Sequence, residues 1–162
     1  MRKAKFTYWA TDIKVRLRFE RGAREAFPDL AFSTTGRGFG ARVVYTLTVD
    51  VPHYEPRCIR IVLGNAITPW CIEVTADGPT ESPHRYTTRQ LCIWDPKGLT
   101  VERWVGDDGL LALIDHARVH LFKEAYWRET TIWPGREAPH APPKVPDQVP
   151  ARETTGAGSR ER

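Results

Sequence analysis

The stretch Arg42-Val-Val-Tyr-Thr-Leu-Thr-Val-Asp-Val51 decides the fold, because its apolar side chains recur with the two-residue period of a β-strand. One face of this predicted strand carries every second side chain, all of them apolar: Val43, Tyr45, Leu47, Val49 and Val51. Residues 52–56 predict a turn, and residues 58–63 predict the next strand. Two more strands are predicted, over residues 30–33 before this pair of strands and over residues 70–75 after it. Three or four short strands joined by short turns favour an antiparallel meander.

The chain before the meander allows two interpretations. Residues 13–20 alternate apolar and charged side chains like a strand, whereas residues 21–27 predict a short helix that Pro28 ends. The first 28 residues hold eight Lys or Arg and three Asp or Glu, a net +5, which leaves −1 for the other 134 residues. This basic arm could contact an acidic protein or phosphates. Alternatively, the basic and apolar residues could form a solvated amphipathic edge.

A long amphipathic helix is predicted over residues 110–130. Asp107 and Asp108 would begin it favourably, and Trp133-Pro-Gly135 would end it. Its apolar side chains are spaced three and four residues apart: Leu110, Leu113, Ile114, Ala117, Leu121 and Ala125. With the strands before it, this helix predicts an α+β fold.

One domain is expected from 162 residues, with a basic N-terminal arm over residues 1–20, a folded domain over 21–140 and a disordered, proline-rich tail over 141–162. No apolar run is long enough to span a membrane, and residues 1–9 lack the apolar segment of a secretory signal. We therefore expect a cytoplasmic protein whose three widely spaced cysteines are free thiols.

Cys92 is the best candidate for a catalytic atom. It lies in His84-Arg-Tyr-Thr-Thr-Arg-Gln-Leu-Cys-Ile-Trp94, just after a histidine-containing turn and ahead of the predicted helix. A thiolate is a strong nucleophile and a good leaving group, so this thiol could carry an acyl group. The alternative is a small, buried apolar side chain, which is the usual fate of a free cysteine.

Three short motifs point to a known family. They are His84-Arg-Tyr86, Leu91-Cys-Ile-Trp94 and Trp127-Arg-Glu-Thr-Thr-Ile-Trp-Pro-Gly135. Together they resemble the prokaryotic ubiquitin-conjugating-like family, in which His-x-Tyr, Leu-Cys-Leu-Tyr and a helix ending Trp-x-x-Thr-Gly-x-Trp-x-Gly follow one another. The resemblance covers roughly residues 24–140. It implies a ubiquitin-conjugating-enzyme-like fold with a four-stranded antiparallel meander, an irregular loop bearing the cysteine and a long C-terminal helix.

The resemblance also implies a transferase that forms a thioester on Cys92. Eukaryotic members have His-Pro-Asn before the cysteine, and the Asn is thought to stabilise the oxyanion. Here Arg85-Tyr86 stands in that place, so Gln90, Tyr86 or backbone N–H groups are the candidate donors. The role implied for His84 is mainly to hold the shape of the loop.

The expected partner is a protein with an activated C-terminus: a ubiquitin-like modifier or, as in the short form of CBASS anti-phage defence, a cyclic-nucleotide synthase. No adenylating motif is visible, so a separate activating enzyme is expected, and no cofactor is predicted. One alternative is a catalytically silent binding module with the same fold. Another alternative is a nucleic-acid binder that acts through the basic arm. The near-neutral charge of the rest of the chain argues against this alternative.

Two further patterns are weaker. His116, His120 and Glu124 are spaced four apart on the predicted helix, but no characteristic third-ligand motif accompanies the histidines, so no metal site is predicted. The glycines at 36, 38 and 40 lack the Lys-Ser/Thr and the helix of a phosphate-binding loop, so a hairpin turn is the better interpretation.

Overall fold

Four antiparallel strands in chain order form the sheet of this protein. The computed structural model describes residues 12–36, 40–64, 72–86, 89–94 and 103–136. Its strands are β1 (Ala31–Thr35), β2 (Arg42–Val51), β3 (Tyr54–Leu63) and β4 (Ile72–Ala76), each paired with the next. Its helices are α1 (Ile13–Phe19), α2 (Ala23–Ala26) and α3 (Gly109–Thr130), with a 3₁₀ turn at Gly106–Asp108 before α3. The prediction of an α+β chain with an antiparallel four-stranded sheet and a C-terminal helix is confirmed.

The core lies between one face of the sheet and α3. The alternating residues predicted for this face are all buried: Val43, Tyr45, Leu47, Val49 and Val51. The helix positions predicted to be apolar are buried as well: Leu110, Leu113, Ile114, Ala117, Leu121 and Ala125. Trp104 is fully buried in the same cluster, and its indole N–H donates to the carbonyl of Gly109 at 2.8 Å. This bond fixes the start of α3 on the sheet.

The segment before the meander folds as a helix, which settles the choice between strand and helix for residues 13–19. Asp12 caps α1, since its carboxylate accepts the N–H groups of Lys14 and Val15 at 3.0 and 3.3 Å. The alternating apolar residues Ile13 and Leu17 are more than half exposed, and Phe19 is the buried residue of this helix. A local cap therefore outweighs the strand-like alternation.

A buried carboxylate ties the first helices to the sheet. Glu20 accepts the hydroxyl of Tyr45 at 2.8 Å and the guanidinium of Arg24 at 2.6 Å. Burial and the hydrogen bond to Glu20 raise the pKa of Tyr45 well above its usual value. Phe19 and Glu20, at the end of the predicted N-terminal arm, are thus part of the folded unit.

The turn between β2 and β3 is shorter than predicted. Residues 52–56 were expected to form it, but Val51 pairs with Tyr54, so only Pro52 and His53 make the turn. His53 adopts a positive φ of 68°, which closes the two-residue connection. Next to this tight turn, the pairing of β2 with β3 shifts its register between Val49 and Val51.

Within the described part of the chain, no helix has the length and apolar character that crossing a membrane requires.

Candidate functional site

Cys92 lies at the end of a small hairpin that extends the sheet beyond β4. We define the Cys92 hairpin as residues 84–86 and 89–92. Leu91 N–H donates to the carbonyl of Val74 at 2.8 Å, which joins the hairpin to the edge of β4. Inside the hairpin, Cys92 N–H donates to His84 O at 3.1 Å and Tyr86 N–H to Gln90 O at 3.0 Å. The loop expected to be irregular therefore holds its cysteine on a short stretch of paired backbone.

This pairing brings together the backbone of the four residues predicted for the site. Cys92 lies next to His84, and Tyr86 lies next to Gln90, across the hairpin. Between these pairs, Arg85 opposes Leu91 in an antiparallel bridge. The side chain of Arg85 and the residue Leu91 are each 3% exposed. The hairpin also reaches solvent, since Tyr86 is 53% exposed.

The Cys92 side chain lies close beneath the surface. Cys92 is 8% exposed, and its Sγ lies 3.7 Å from the carbonyl oxygen of Trp94, as a weak S–H donor. Among the described residues, the contiguous apolar core includes Leu91, with Ile93 and Trp94 packed at its edge, but not Cys92. The thiol is thus shielded from water without being part of the packed core.

Arg85 is anchored to α3 by a buried ion pair. Its Nε donates to Glu124 Oε1 at 2.7 Å and its Nη2 to Glu124 Oε2 at 2.6 Å, a two-pronged contact. Glu124 is fully buried. The Arg85 guanidinium, one of those that the sequence places near Cys92, is therefore bound to a carboxylate on the helix.

His120 and Trp133 complete the contact between α3 and the hairpin. His120 Nε2 lies 3.2 Å from Glu124 Oε1, one helical turn away. Thr131 takes a positive φ of 60° and ends the helix, and Trp133 then packs on both histidine rings. Its ring centroid is 4.1 Å from that of His84 and 5.5 Å from that of His120. The hairpin is therefore held at two adjacent residues, Arg85 and His84.

The buried carboxylate of Glu124 is ionised. Burial alone would raise the pKa of Glu124, but hydrogen bonds from Arg85 and His120, together with their charges, lower it from 4.5 to about 2. The pKa of Arg128, one turn further along α3, is lowered by burial and by the charges of Arg57 and Arg85, against the charge of Glu124. A compact group of charges thus lies beneath the hairpin.

Sequence reasoning did not find the role of Glu124, although a signal was present. Glu124 falls on the buried face of α3, next to Leu121 and Ala125. A carboxylate at such a position needs a cationic partner, because an unpaired buried charge is strongly unfavourable. Which cation meets it depends on how the hairpin folds onto α3, and sequence spacing does not carry that information.

The three helix residues considered for a metal do not form one group. His120 and Glu124 are in contact, but the ring of His116 packs edge-on against Trp94 instead. Burial lowers the pKa of His116, against the charges of Asp108 and Asp115. Over the described ranges, no set of three or more potential ligand side chains is arranged to hold a metal ion.

No family model matches the chain, and no curated protein sequence matches it at a significant level. Inferences about its function therefore depend on the geometry of the Cys92 hairpin and its contacts with α3.

Proposed function

We propose that the chain is a ubiquitin-conjugating-like transferase with the ubiquitin-conjugating-enzyme fold. It would hold the C-terminal carboxyl of a protein as a thioester on Cys92 and pass it to an amine. The observation that carries the proposal is the pairing of residues 84–86 with 90–92, which places Cys92 next to His84 and Tyr86 next to Gln90.

The backbone after α3 supports the family resemblance independently of the cysteine. The motif that this segment resembles has glycine at the positions of Thr131 and Gly135. Both residues have positive φ, 60° and 93°, and such backbone angles favour glycine. The chain thus bends here as the motif requires, even where threonine replaces glycine.

The chemistry requires a nucleophile that later becomes a leaving group. The Cys92 thiolate attacks the carbonyl carbon of an activated C-terminus, a C–S bond forms, and the donor's leaving group departs with the electron pair. In the second step an amine attacks the same carbon, and the bond between that carbon and Cys92 Sγ breaks with its electron pair staying on sulfur. The proton that the amine loses restores the thiol. The low exposure of Cys92 suits a thioester that must outlast attack by water.

The hairpin narrows the choice of oxyanion donor. The backbone N–H groups of Tyr86, Leu91 and Cys92 already donate to carbonyl oxygens. As oxyanion donors, the Tyr86 hydroxyl and the Gln90 amide are therefore favoured over those three backbone groups. His84 supplies a backbone carbonyl to Cys92 and has its ring against Trp133, which suits a structural role.

The reaction needs a donor that is already activated. By the resemblance, the donor is a ubiquitin-like modifier or a cyclic-nucleotide synthase delivered by a separate activating enzyme. We propose a bacterial anti-phage operon of the short CBASS type as the setting. No cofactor enters the transfer, because sulfur alone carries the acyl group.

A peptide thioester tests this proposal without the natural donor. The purified chain is mixed with a glycine-ended peptide carrying a 2-mercaptoethanesulfonate leaving group, and acylation is mapped by mass spectrometry. Free, exposed Cys58 is an internal control for ordinary thiol reactivity. We expect faster acylation at Cys92 than at Cys58, loss of that adduct in Cys92→Ala, and its discharge by added lysine. Acylation of Cys92 no faster than of Cys58 would contradict the proposal.

A silent binding module with the same fold is the second candidate. The 8% exposure of Cys92 favours it, since a foreign C-terminus must reach the sulfur. So does the anchoring of Arg85 by Glu124, because that guanidinium is bound to the helix carboxylate and is not directed to the thiol. This candidate predicts no adduct, but a stable complex with a partner protein that survives Cys92→Ala.

A further inference from the structure

We infer that Glu124 is a positioning residue for Cys92, together with His120 and Trp133. We call these three residues the α3 clamp. The inference rests on the proposed function, because it assigns to α3 and the segment just after it the task of fixing the geometry of the thiol during acyl transfer.

The first arm of the clamp is the ion pair. Both carboxylate oxygens of Glu124 receive N–H groups of Arg85, at 2.7 and 2.6 Å. Arg85 opposes Leu91 in the hairpin. Fixing the guanidinium therefore fixes the backbone strand that pairs with the segment immediately before the thiol.

The second arm is aromatic. The Trp133 ring packs on His84 with centroids 4.1 Å apart. The carbonyl of His84 in turn accepts the N–H of Cys92 at 3.1 Å. A displacement of the His84 ring would therefore be transmitted to the backbone of the nucleophile through one hydrogen bond.

His120 links the two arms. Its Nε2 lies 3.2 Å from Glu124 Oε1, and its ring meets Trp133 edge-on at 5.5 Å. The ion pair and the ring contact therefore belong to one connected group, in which Glu124 holds Arg85 and Trp133 packs on the adjacent His84. A hairpin held at two adjacent residues keeps the backbone of Cys92 in place, and fixed geometry is what acyl transfer needs.

The clamp is tested with Glu124→Gln, which keeps the shape of the side chain and removes its charge. The matched control is Glu129→Gln, which removes an exposed carboxylate of the same helix that bonds Tyr54 Oη instead of the hairpin. Amide hydrogen exchange and the peptide-thioester assay are run on both variants. We expect Glu124→Gln to speed exchange at Leu91 and Cys92 and to lower the maximal acylation rate of Cys92, each by about tenfold. The half-saturating thioester concentration should change little, and β2 should keep its protection.

Trp133→Ala and Trp133→Phe provide a second, independent pair. Trp133→Ala removes the ring from His84 and should act like Glu124→Gln, whereas Trp133→Phe keeps an aromatic ring and should restore most of the rate. Two results would refute the clamp. In the first, Glu124→Gln speeds amide exchange in β2 as much as at Cys92. In the second, amide exchange in the hairpin is as slow in Glu124→Gln as in Glu129→Gln. Absence of Cys92 acylation in the unaltered chain would instead refute the proposed function, and hydrogen exchange alone would then decide whether the clamp holds the hairpin.

Discussion

Glu124 shows how a single buried charge can be accommodated in this protein. Moving an isolated carboxylate into the interior is strongly unfavourable, and a two-pronged guanidinium contact is among the few arrangements that compensate for it. Removing one partner of such a pair typically costs about 3–5 kcal/mol, because the other charge stays buried without compensation. The pair thus specifies where the hairpin lies more than it adds to net stability.

The lowered pKa of Glu124 makes stability depend on pH. Its pKa is about 2 in the folded protein, against the ordinary value of 4.5 in the unfolded chain, so the folded state binds fewer protons between these values. The stabilisation is therefore fully present above about pH 5, falls as the pH drops towards 2, and amounts to on the order of 3 kcal/mol. Urea unfolding of the unaltered chain and of Glu124→Gln between pH 7 and pH 3 measures it.

The comparison between variants isolates this one group from the other carboxylates. Glu124→Gln should start from a lower free energy of unfolding at pH 7 and lose less of it on acidification. Glu129→Gln, which alters an exposed carboxylate, should keep the acid dependence of the unaltered chain. Parallel acid curves for all three proteins would show that Glu124 does not titrate in this way.

At the scale of elements, the end of α3 carries an unfavourable backbone angle. Thr131 is β-branched and has φ of 60°, a conformation that costs an L-residue about 1–2 kcal/mol. Thr131→Gly should remove that strain and, after the greater entropy of glycine in the unfolded chain is counted, stabilise the protein by about 0.5–1 kcal/mol. The midpoint of urea unfolding measures the change.

Thr130→Gly is the neighbouring control for this prediction. Thr130 is the last residue of α3, and its hydroxyl donates to the carbonyl of Tyr126 at 2.8 Å. Glycine there should lower stability by about 1 kcal/mol, since it weakens the helix. Opposite shifts of the two midpoints are expected, and shifts in the same direction would show that the angle at Thr131 is not strained.

The beginning of α3 depends on a glycine. Gly109 has φ of 79° and ψ of 178°, a combination that is essentially restricted to glycine. A Cβ added there would lie 3.2 Å from the carbonyl oxygen of Phe19, at the end of α1. We expect Gly109→Ala to lower the unfolding free energy by about 1–3 kcal/mol. Gly40→Ala, where a Cβ would meet nothing within 4 Å, should have little effect in the same urea titration.

Elements with strong periodicity could be predicted from the sequence, and elements set by a single contact could not. Apolar residues alternate in β2 and recur every three or four residues in α3, because each element buries one face. Both elements and their buried residues were therefore predicted correctly. The strand-like alternation of residues 13–19 does not correspond to a buried face. The cap at Asp12 starts a helix instead, and the apolar side chains of this helix are mostly exposed. In the site, Cys92 and His84 were predicted from a local sequence motif, whereas the pairing of Arg85 with Glu124 joins residues 39 positions apart and depends on tertiary packing.

At the scale of the molecule, α3 begins beside the end of α1 and ends beside the Cys92 hairpin. Near the start of α3, Gly109 lies close to Phe19 at the end of α1. Glu20, the residue after Phe19, binds Tyr45 of the sheet. Near the other end of α3, Glu124 binds the Cys92 hairpin. Fifteen residues separate Gly109 from Glu124 along the helix, which corresponds to about 22 Å. The helix therefore joins a structural anchor at one end to the candidate site at the other.

Glu20 and Glu124 share no hydrogen-bond or ion-pair partner among the contacts of the described residues, so the two carboxylates are expected to act independently. Changes at sites more than about 10 Å apart without shared partners usually add to within about 0.5 kcal/mol. In a double-mutant cycle measured by urea unfolding at pH 7, Glu20→Gln and Glu124→Gln should each destabilise the protein, and the double variant should show the sum. Arg85→Gln with Glu124→Gln should instead depart from additivity by 1 kcal/mol or more, because the two side chains share one ion pair. A coupling of that size between Glu20 and Glu124 would mean that α3 transmits strain along its length, and the candidate site could then not be altered without disturbing the anchor of α1.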